Sequence, residues 1–207
     1  MSDREDDIGR RAGLLNVIKL ESLSQFFYQN ATIFNAVLAT VGFIAYLLLV
    51  MTSKATGFET EASSIRSLGT TFGFDQTDII AFLSARTEEM IASYIIFNQV
   101  WDVLFGVIYG IMYMVWLSVI FKQFSHKLGR LNLVPMIQVA FDWLENYELA
   151  IVANQYLAEG SISPVNAQLA SIFSMIKWGF SGMTYVLISL GLVLLVYRFI
   201  QKGRYPE

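Results

Sequence analysis

The chain has 207 residues, of which 55% are hydrophobic and 15% charged, and its mean hydropathy is +0.52. Soluble domains average roughly 45–50% apolar and about 25% charged residues, so this composition indicates a polytopic membrane protein. The net charge of −3 excludes a basic nucleic-acid-binding surface. Because there is no cysteine and a single histidine, disulfides, thiolate metal sites, iron–sulfur clusters and bis-histidine haem ligation are excluded, and we predict no cofactor.

Four long apolar runs predict four membrane-spanning helices, at about residues 33–51, 95–121, 133–157 and 170–197. A helix needs about 20 mostly apolar residues to cross the hydrocarbon core. The third run is the least apolar because it contains Asp142, Glu145 and Glu148, and such acids cost roughly 2.5–3.5 kcal/mol each on insertion scales. The sequence therefore predicts an all-α fold, with a single membrane domain over residues 1–207 built as a four-helix transmembrane bundle.

Two amphipathic segments flank the first predicted span. Residues 1–30 form the predicted cytoplasmic interfacial segment, in which residues 13–27 have an apolar helical face. Residues 52–94 form the predicted extracytoplasmic loop, whose second half has apolar residues at near-helical spacing, at Ile79, Leu83, Met90 and Tyr94. We expect one helix over residues 77–95, capped by Asp75, to cover the bundle from outside and to continue into the second span.

Residue types at the ends of the later runs indicate where their helices begin and end. Asn132 is a candidate N-cap of the third helix, with Pro135 in its first turn. Gly160 is placed to end that helix in the left-handed conformation. Ser163 and Pro164 then predict the N-cap and the first residue of the fourth helix.

The distribution of Lys and Arg predicts the orientation of the chain in the membrane. Residues 1–30 hold four of them, and the loop after the second span and the C-terminal tail hold three each, whereas the long outer loop holds three. By the positive-inside rule, both termini are expected in the cytoplasm. The first thirty residues lack the features of a cleaved signal peptide, so we expect no N-terminal cleavage. We also expect a multi-pass protein of a prokaryotic cytoplasmic membrane.

Five charged residues lie inside the predicted spans, and helical geometry turns most of them inward. At about 100° per residue, each of the last three spans carries one polar or small-residue stripe. The stripes contain Asn98, Asp102, Tyr109 and Tyr113; Gln138, Asp142, Glu145, Asn146 and Ala153; and Ser174, Lys177, Ser181, Thr184 and Gly191. Asp102 and Lys177 lie at the same estimated depth and could pair. The other acids lack a basic partner in the spans, so some of them would be protonated or would surround a cation.

We predict that six polar residues form an intramembrane binding site, namely Asp102, Tyr109, Asp142, Glu145, Asn146 and Lys177. Intramembrane ionisable groups are costly and often functional, although for any one residue structural hydrogen bonding between helices is the alternative. A protonated Glu145 or Asp142 beside Tyr109 could act as a general acid on an apolar substrate such as an isoprenoid or a sterol-like alkene. The sequence assigns no catalytic residue and no metal ligand.

The residues around this cluster resemble a family of uncharacterised prokaryotic four-span integral membrane proteins. The resemblance covers about residues 70–200, and its most specific part is a Phe-Asp-x-x-Glu-Asn stretch in the third span. The matching residues are Phe72-Gly73-Phe74, Arg86, Tyr94, Asp102, Tyr109, Phe141-Asp142-Trp143-Leu144-Glu145-Asn146 and Lys177. The resemblance implies the four-span topology and the choice of Asp102, Asp142, Glu145, Asn146 and Lys177, and it implies no particular reaction.

Three functions remain open at this stage. The first is the binding or transformation of a lipid-like small molecule in the acid-rich pocket, with or without enzymatic activity. The second is the role of an accessory or assembly subunit in a larger membrane complex. The third is cation or proton translocation, for which carboxylate oxygens are suitable ligands. The expected partners are membrane lipid, a lipid-like ligand, and either further copies of the chain or a larger membrane complex.

Overall fold

The computed structural model describes residues 20–60 and 67–204, and within these ranges the chain is helical and contains no strand. Residues 13–19 of the predicted amphipathic segment at residues 13–27 lie outside the described residues. In chain order, the helices are α1 (20–30), α2 (Ile33–Ala55), α3 (Gln76–Ser84), α4 (Glu88–Phe121), α5 (Val134–Glu159) and α6 (Pro164–Arg204). Two short 3-10 helices, Leu68–Thr70 and His126–Leu133, lie in the connections before α3 and α5.

Among the described residues, three helices are long and apolar enough to cross a membrane, namely α2, α4 and α6. At about 1.5 Å per residue, the 41 residues of α6 extend about 60 Å, which is longer than a hydrocarbon core of about 30 Å. Helix α5 has 26 residues but carries too many acids to belong to this apolar group. The all-helical class is thus confirmed for the described residues, together with three helices that are long and apolar enough to span a membrane.

The residues that start and stop these helices are mostly those expected. Asp75 caps α3 through a reciprocal capping box with Asp78, and Gly160 ends α5 at a φ of 67°. The N-cap predicted at Asn132 is wrong, because α5 begins at Val134 after Leu133. The Asn132 side chain is buried and instead hydrogen-bonds to other helices.

The single outer helix predicted over residues 77–95 is also wrong, because it is divided into α3 and the first turns of α4. The chain leaves the helical conformation after Ser84 and restarts at Thr87, whose hydroxyl accepts from the Met90 backbone N–H at 3.4 Å. Glu88 and Glu89 lie in the first turn of the restarted helix and stabilise its N-terminus through the helix dipole. From there α4 continues into the predicted second span, as expected.

Helix α4 contacts α2, α5 and α6, whereas α5 packs most extensively on α6 and also lies against α4. Small residues allow the close approach to α4. A Cβ added to Gly106 would lie 2.9 Å from Trp143 Nε1, and one added to Gly110 would lie 2.7 Å from Val139 Cγ2. This Gly-x-x-x-Gly spacing is typical of close helix contacts in membranes. Helix α2 packs mainly on α4 and exposes most of its apolar side chains.

The remaining core lies at the two ends of the bundle. At the outer end, α3 and the preceding loop form an apolar cluster with α4 to α6, with Phe58, Phe82, Leu83, Ile91, Tyr94 and Leu149 among its members. At the other end, Asn132 Nδ2 donates to the Ser24 carbonyl and to Ser118 Oγ, both at 2.9 Å. These bonds hold α1 and the connection before α5 against α4.

Candidate functional site

The three polar stripes predicted from helical geometry face the interior of the bundle. On α5 the buried residues include Gln138, Asp142, Glu145 and Asn146, whereas Leu144 and Tyr147 on the opposite side are exposed. On α6 the fourth-span stripe is buried throughout, at Ser174, Lys177, Ser181, Thr184 and Gly191. The structure therefore brings the six predicted site residues toward a common interior.

Lys177 is the electrostatic centre of this interior. Its ammonium lies 3.3 Å from Asp142 Oδ1, contacts Glu145 Oε2, and donates to the Gly69 carbonyl at 2.9 Å. The predicted pairing partner, Asp102, forms no ion pair with any residue of the described ranges, and Lys177 pairs with the two acids of α5 instead. The reason is the arrangement of the helices, since α6 packs most extensively on α5.

The outer loop before α3 lies on α6 and covers the polar interior. Ser174 Oγ donates to the Thr71 carbonyl at 2.9 Å, and the Phe74 N–H donates to Ser171 Oγ at 3.1 Å. Between them, Gly73 has a φ of 71° and lies close against Met175, a conformation that disfavours any other residue. Backbone atoms of this loop thus hydrogen-bond to the hydroxyls of Ser171 and Ser174 and to the ammonium of Lys177, all on α6.

A cavity of about 780 Å³ lies beside these residues, between α2, α4 and α6. Most of its wall is apolar or aromatic, and the polar groups of Asp102, Tyr109, Gln138, Asp142, Lys177 and Ser181 border it. Of the six predicted site residues, Asp102, Tyr109, Asp142 and Lys177 border the cavity. Glu145 and Asn146 are buried behind it, so they do not face the same space.

An aromatic series forms much of the wall. On α4, Phe105 stacks on Phe43 of α2 with a centroid distance of 5.4 Å, and the ring of Tyr109 follows at 5.5 Å. Tyr113 comes next, and its hydroxyl lies 3.1 Å from the hydroxyl of Tyr185 on α6. The sequence analysis missed Phe43 and Tyr185. Tyr185 could have been found, since it lies four residues after Ser181 on the polar stripe.

Two of the helices that border the cavity, α2 and α4, contain a π-helical segment there. These segments are Leu47–Met51 in α2 and Phe97–Asp102 in α4, and residues from each contribute to the wall. Inside α-helices, π segments are rare and occur frequently at functional sites. The second segment ends at Asp102, and the Tyr46 hydroxyl of α2 donates to the nearby Trp101 carbonyl at 2.9 Å. A hydrogen bond therefore links α2 to α4 beside the two π-helical segments, next to the point where Asp102 borders the cavity.

Arg86 is a further residue of the wall that is not among the predicted site residues. Its guanidinium donates to the carbonyls of Phe58 and Phe82, at 2.8 and 2.5 Å, and lies over the Phe82 ring. Burial lowers the pKa of this guanidinium from its ordinary value. Arg86 thus joins the end of α3 to the chain that follows α2.

Several buried polar atoms at the cavity have no hydrogen-bond partner among the described residues. These atoms are Tyr109 Oη, Gln138 Oε1, Asp142 Oδ2 and Ser181 Oγ, and each belongs to a side chain bordering the cavity. Buried polar atoms in proteins are nearly always hydrogen-bonded, so each exception needs an explanation. Such atoms around a mostly apolar space are suited to the polar end of a small molecule.

Within the described ranges, no group of three or more His, Cys, Asp or Glu side chains is arranged to hold a metal ion. No protein-family model, no curated protein and no solved structure matches this chain. The resemblance to a four-span family therefore stays a prediction, and any assignment of function depends on the geometry of the cavity.

Proposed function

We propose that the protein is a four-span integral membrane protein of the cell membrane that binds a lipid-like small molecule in the cavity between α2, α4 and α6. The cavity itself carries this proposal. Small-molecule sites are concave spaces of roughly 300–1,000 Å³ with mostly apolar walls and a few placed polar groups. The volume of about 780 Å³, the aromatic wall and the unpaired polar atoms match that description.

The fourth span of this proposal is α5. Its 26 residues extend about 39 Å, which is enough to cross a hydrocarbon core of about 30 Å. Asp142 and Glu145 face the other helices, while Trp143, Leu144 and Tyr147 are exposed on the outer side. Lys177 offsets part of the cost of placing Asp142 and Glu145 at this depth. The cytoplasmic placement of both termini follows from the distribution of Lys and Arg.

Translocation of a cation or a proton is the second candidate, because carboxylates outnumber cations in the interior. The position of Lys177 favours ligand binding over it, since the ammonium occupies the place between Asp142 and Glu145 that a bound cation would take. We expect ion flux in proteoliposomes to equal that of empty liposomes. Flux above that background would favour translocation.

If the bound molecule is also transformed, Asp142 is the acid placed to take part. Among the acids of α5, it borders the cavity, whereas Glu145 is fully buried behind the Lys177 ammonium. Tyr109 borders the same space and carries an unpaired hydroxyl. A side chain that gives or takes a proton in catalysis must lie within hydrogen-bond reach of the reacting group.

The test is mass spectrometry of the small molecules retained by gently purified protein. Ser181→Phe would place a ring in the cavity, and Met183→Phe provides a matched control because Met183 is exposed on the outer side of the same helix. We expect one molecular species to be enriched with the wild type and with Met183→Phe, and to be lost from Ser181→Phe. Identical extracts from all three proteins would contradict the proposal.

A further inference from the structure

The charges at the polar end of the cavity do not balance. Asp102 and Asp142 border this end of the cavity and Glu145 is buried behind it, so that three carboxylates surround the single ammonium of Lys177. That ammonium is already engaged by both acids of α5 and by the Gly69 carbonyl. Asp102 borders the cavity and, in the part of the chain that the structure describes, has no cation as a partner. Asp102 is therefore available to pair with a positive charge carried by a ligand.

Two buried acceptors of the wall also have no hydrogen-bond donor among the described residues. They are Asp142 Oδ2 and Gln138 Oε1, in residues that are 4% and 6% exposed. The other cation of the wall is Arg86, which already donates to the backbone carbonyls of Phe58 and Phe82. A ligand group that carries several N–H donors and a positive charge would satisfy these acceptors, whereas a carboxylate or phosphate would add charge of the same sign.

The aromatic wall suits the same kind of group. Phe105, Tyr109 and Tyr113 follow one another at four-residue spacing on α4, between the acids and the α2 side of the cavity. Ring faces attract a cation within about 6 Å of the centroid, more strongly where water is excluded. The same rings provide apolar contact for a hydrocarbon body.

We propose that the ligand of this cavity is an amphiphile with a basic amine, whose ammonium group binds between Asp102 and Asp142 while its apolar body lies along the aromatic wall. This inference rests on the proposed function, since it names the chemical class of the bound molecule. In this proposal the ligand supplies the positive charge, and Asp102 gains a cationic partner only when the ligand binds.

Three probes with the same tail and different head groups test the inference, namely dodecylamine, dodecanol and dodecanoate. Binding to the purified protein is measured by calorimetry, with the heat of transfer into empty micelles subtracted. We expect saturable binding of the amine at least about tenfold tighter than that of the alcohol, a difference of about 1.4 kcal/mol, and still weaker binding of dodecanoate.

Variants separate the role of Asp102 from general changes in the protein. Asp102→Asn should lower affinity for the amine about tenfold or more while leaving affinity for dodecanol within about twofold. Glu148→Gln is the matched control, because Glu148 lies on α5 outside the wall of the cavity, and it should bind all three probes as the wild type does.

The possible failures are distinguishable. If dodecanol or dodecanoate binds the wild type as tightly as dodecylamine, or if Asp102→Asn keeps the preference for the amine, the inference is overturned and the lipid-binding cavity stands. If no probe binds the wild type saturably, or if Ser181→Phe binds all three as the wild type does, the proposed function fails together with the inference.

Discussion

Lys177 and Asp142 form an ion pair of 3.3 Å across the contact between α5 and α6, and their side chains are 7% and 6% exposed. Removing two charges from water is costly, and their mutual attraction offsets this only with good geometry and additional hydrogen bonds. Here the same ammonium also contacts Glu145 and the Gly69 carbonyl. One side chain of α6 therefore holds together α5 and the outer loop.

Replacing Lys177 by Met should strongly destabilise the protein, because it leaves Asp142 and Glu145 buried side by side without a cation. Loss of one partner of a buried pair costs about 3–5 kcal/mol. Thermal unfolding in detergent measures the effect, and the double variant Lys177→Met/Glu145→Gln should recover part of the loss. Lys54→Met, which removes an exposed ammonium, is the control. A Lys177→Met protein that unfolds with the wild type would refute this role.

Alanine at Gly106 or Gly110 should separate α4 from α5. The added Cβ would lie 2.9 Å from Trp143 Nε1 or 2.7 Å from Val139 Cγ2, and such overpacking costs about 1–3 kcal/mol. Gly179→Ala and Gly182→Ala are matched controls in α6, since an added Cβ there meets no atom within 4 Å. The unfolding temperature should fall for Gly106→Ala and Gly110→Ala and stay unchanged for the two controls. Equal effects at all four positions would contradict the close contact between α4 and α5.

The Arg86 side chain should protect the outer loop from proteolysis. Arg86→Lys keeps the charge but loses the planar group that donates to Phe58 and Phe82 and stacks on the Phe82 ring. We expect limited proteolysis between residues 52 and 75 to become several-fold faster. Arg130→Lys is the control because Arg130 is exposed and pairs with Glu21 in a different part of the protein. Unchanged cleavage would indicate that Arg86 does not stabilise the loop.

The proposed crossing of α5 can be tested directly because the chain contains no cysteine. Single cysteines at exposed Gln123 and Glu159 flank α5, and one at exposed Ser84 marks the outer end of the bundle. We expect a membrane-impermeant maleimide to label Ser84→Cys and Glu159→Cys in intact cells, and Gln123→Cys only after permeabilisation. Labelling of Gln123→Cys and Glu159→Cys from the same side would rule out a fourth span.

Much of the interior could be predicted from the sequence because it depends on helical periodicity. The buried positions of Asp142, Glu145 and Asn146, and the exposure of Leu144, follow from a turn of about 100° per residue. Such geometry predicts which side of a helix is buried.

Periodicity does not predict which helices are neighbours, and this explains the predictions about side-chain partners that are wrong. Equal depth suggested a pair between Lys177 and Asp102, but α6 lies against α5, so its ammonium meets the acids of α5. The bonds between the outer loop and α6 depend on backbone carbonyls such as that of Gly69, for which no residue type gives a signal. Asn132 was assigned to a local cap, although it bonds to Ser24 and Ser118, which are distant in the chain.

The most direct test of a ligand-binding cavity is photo-crosslinking in living cells, followed by intact-mass measurement. Phe105→p-benzoylphenylalanine places the reactive group in the cavity wall, and Leu104→p-benzoylphenylalanine places it on the exposed side of the same helix. We predict one discrete adduct at position 105, and at position 104 the heterogeneous mixture expected from bulk membrane lipid. No adduct at position 105, or the same mixture at both positions, would contradict a specific ligand in this cavity.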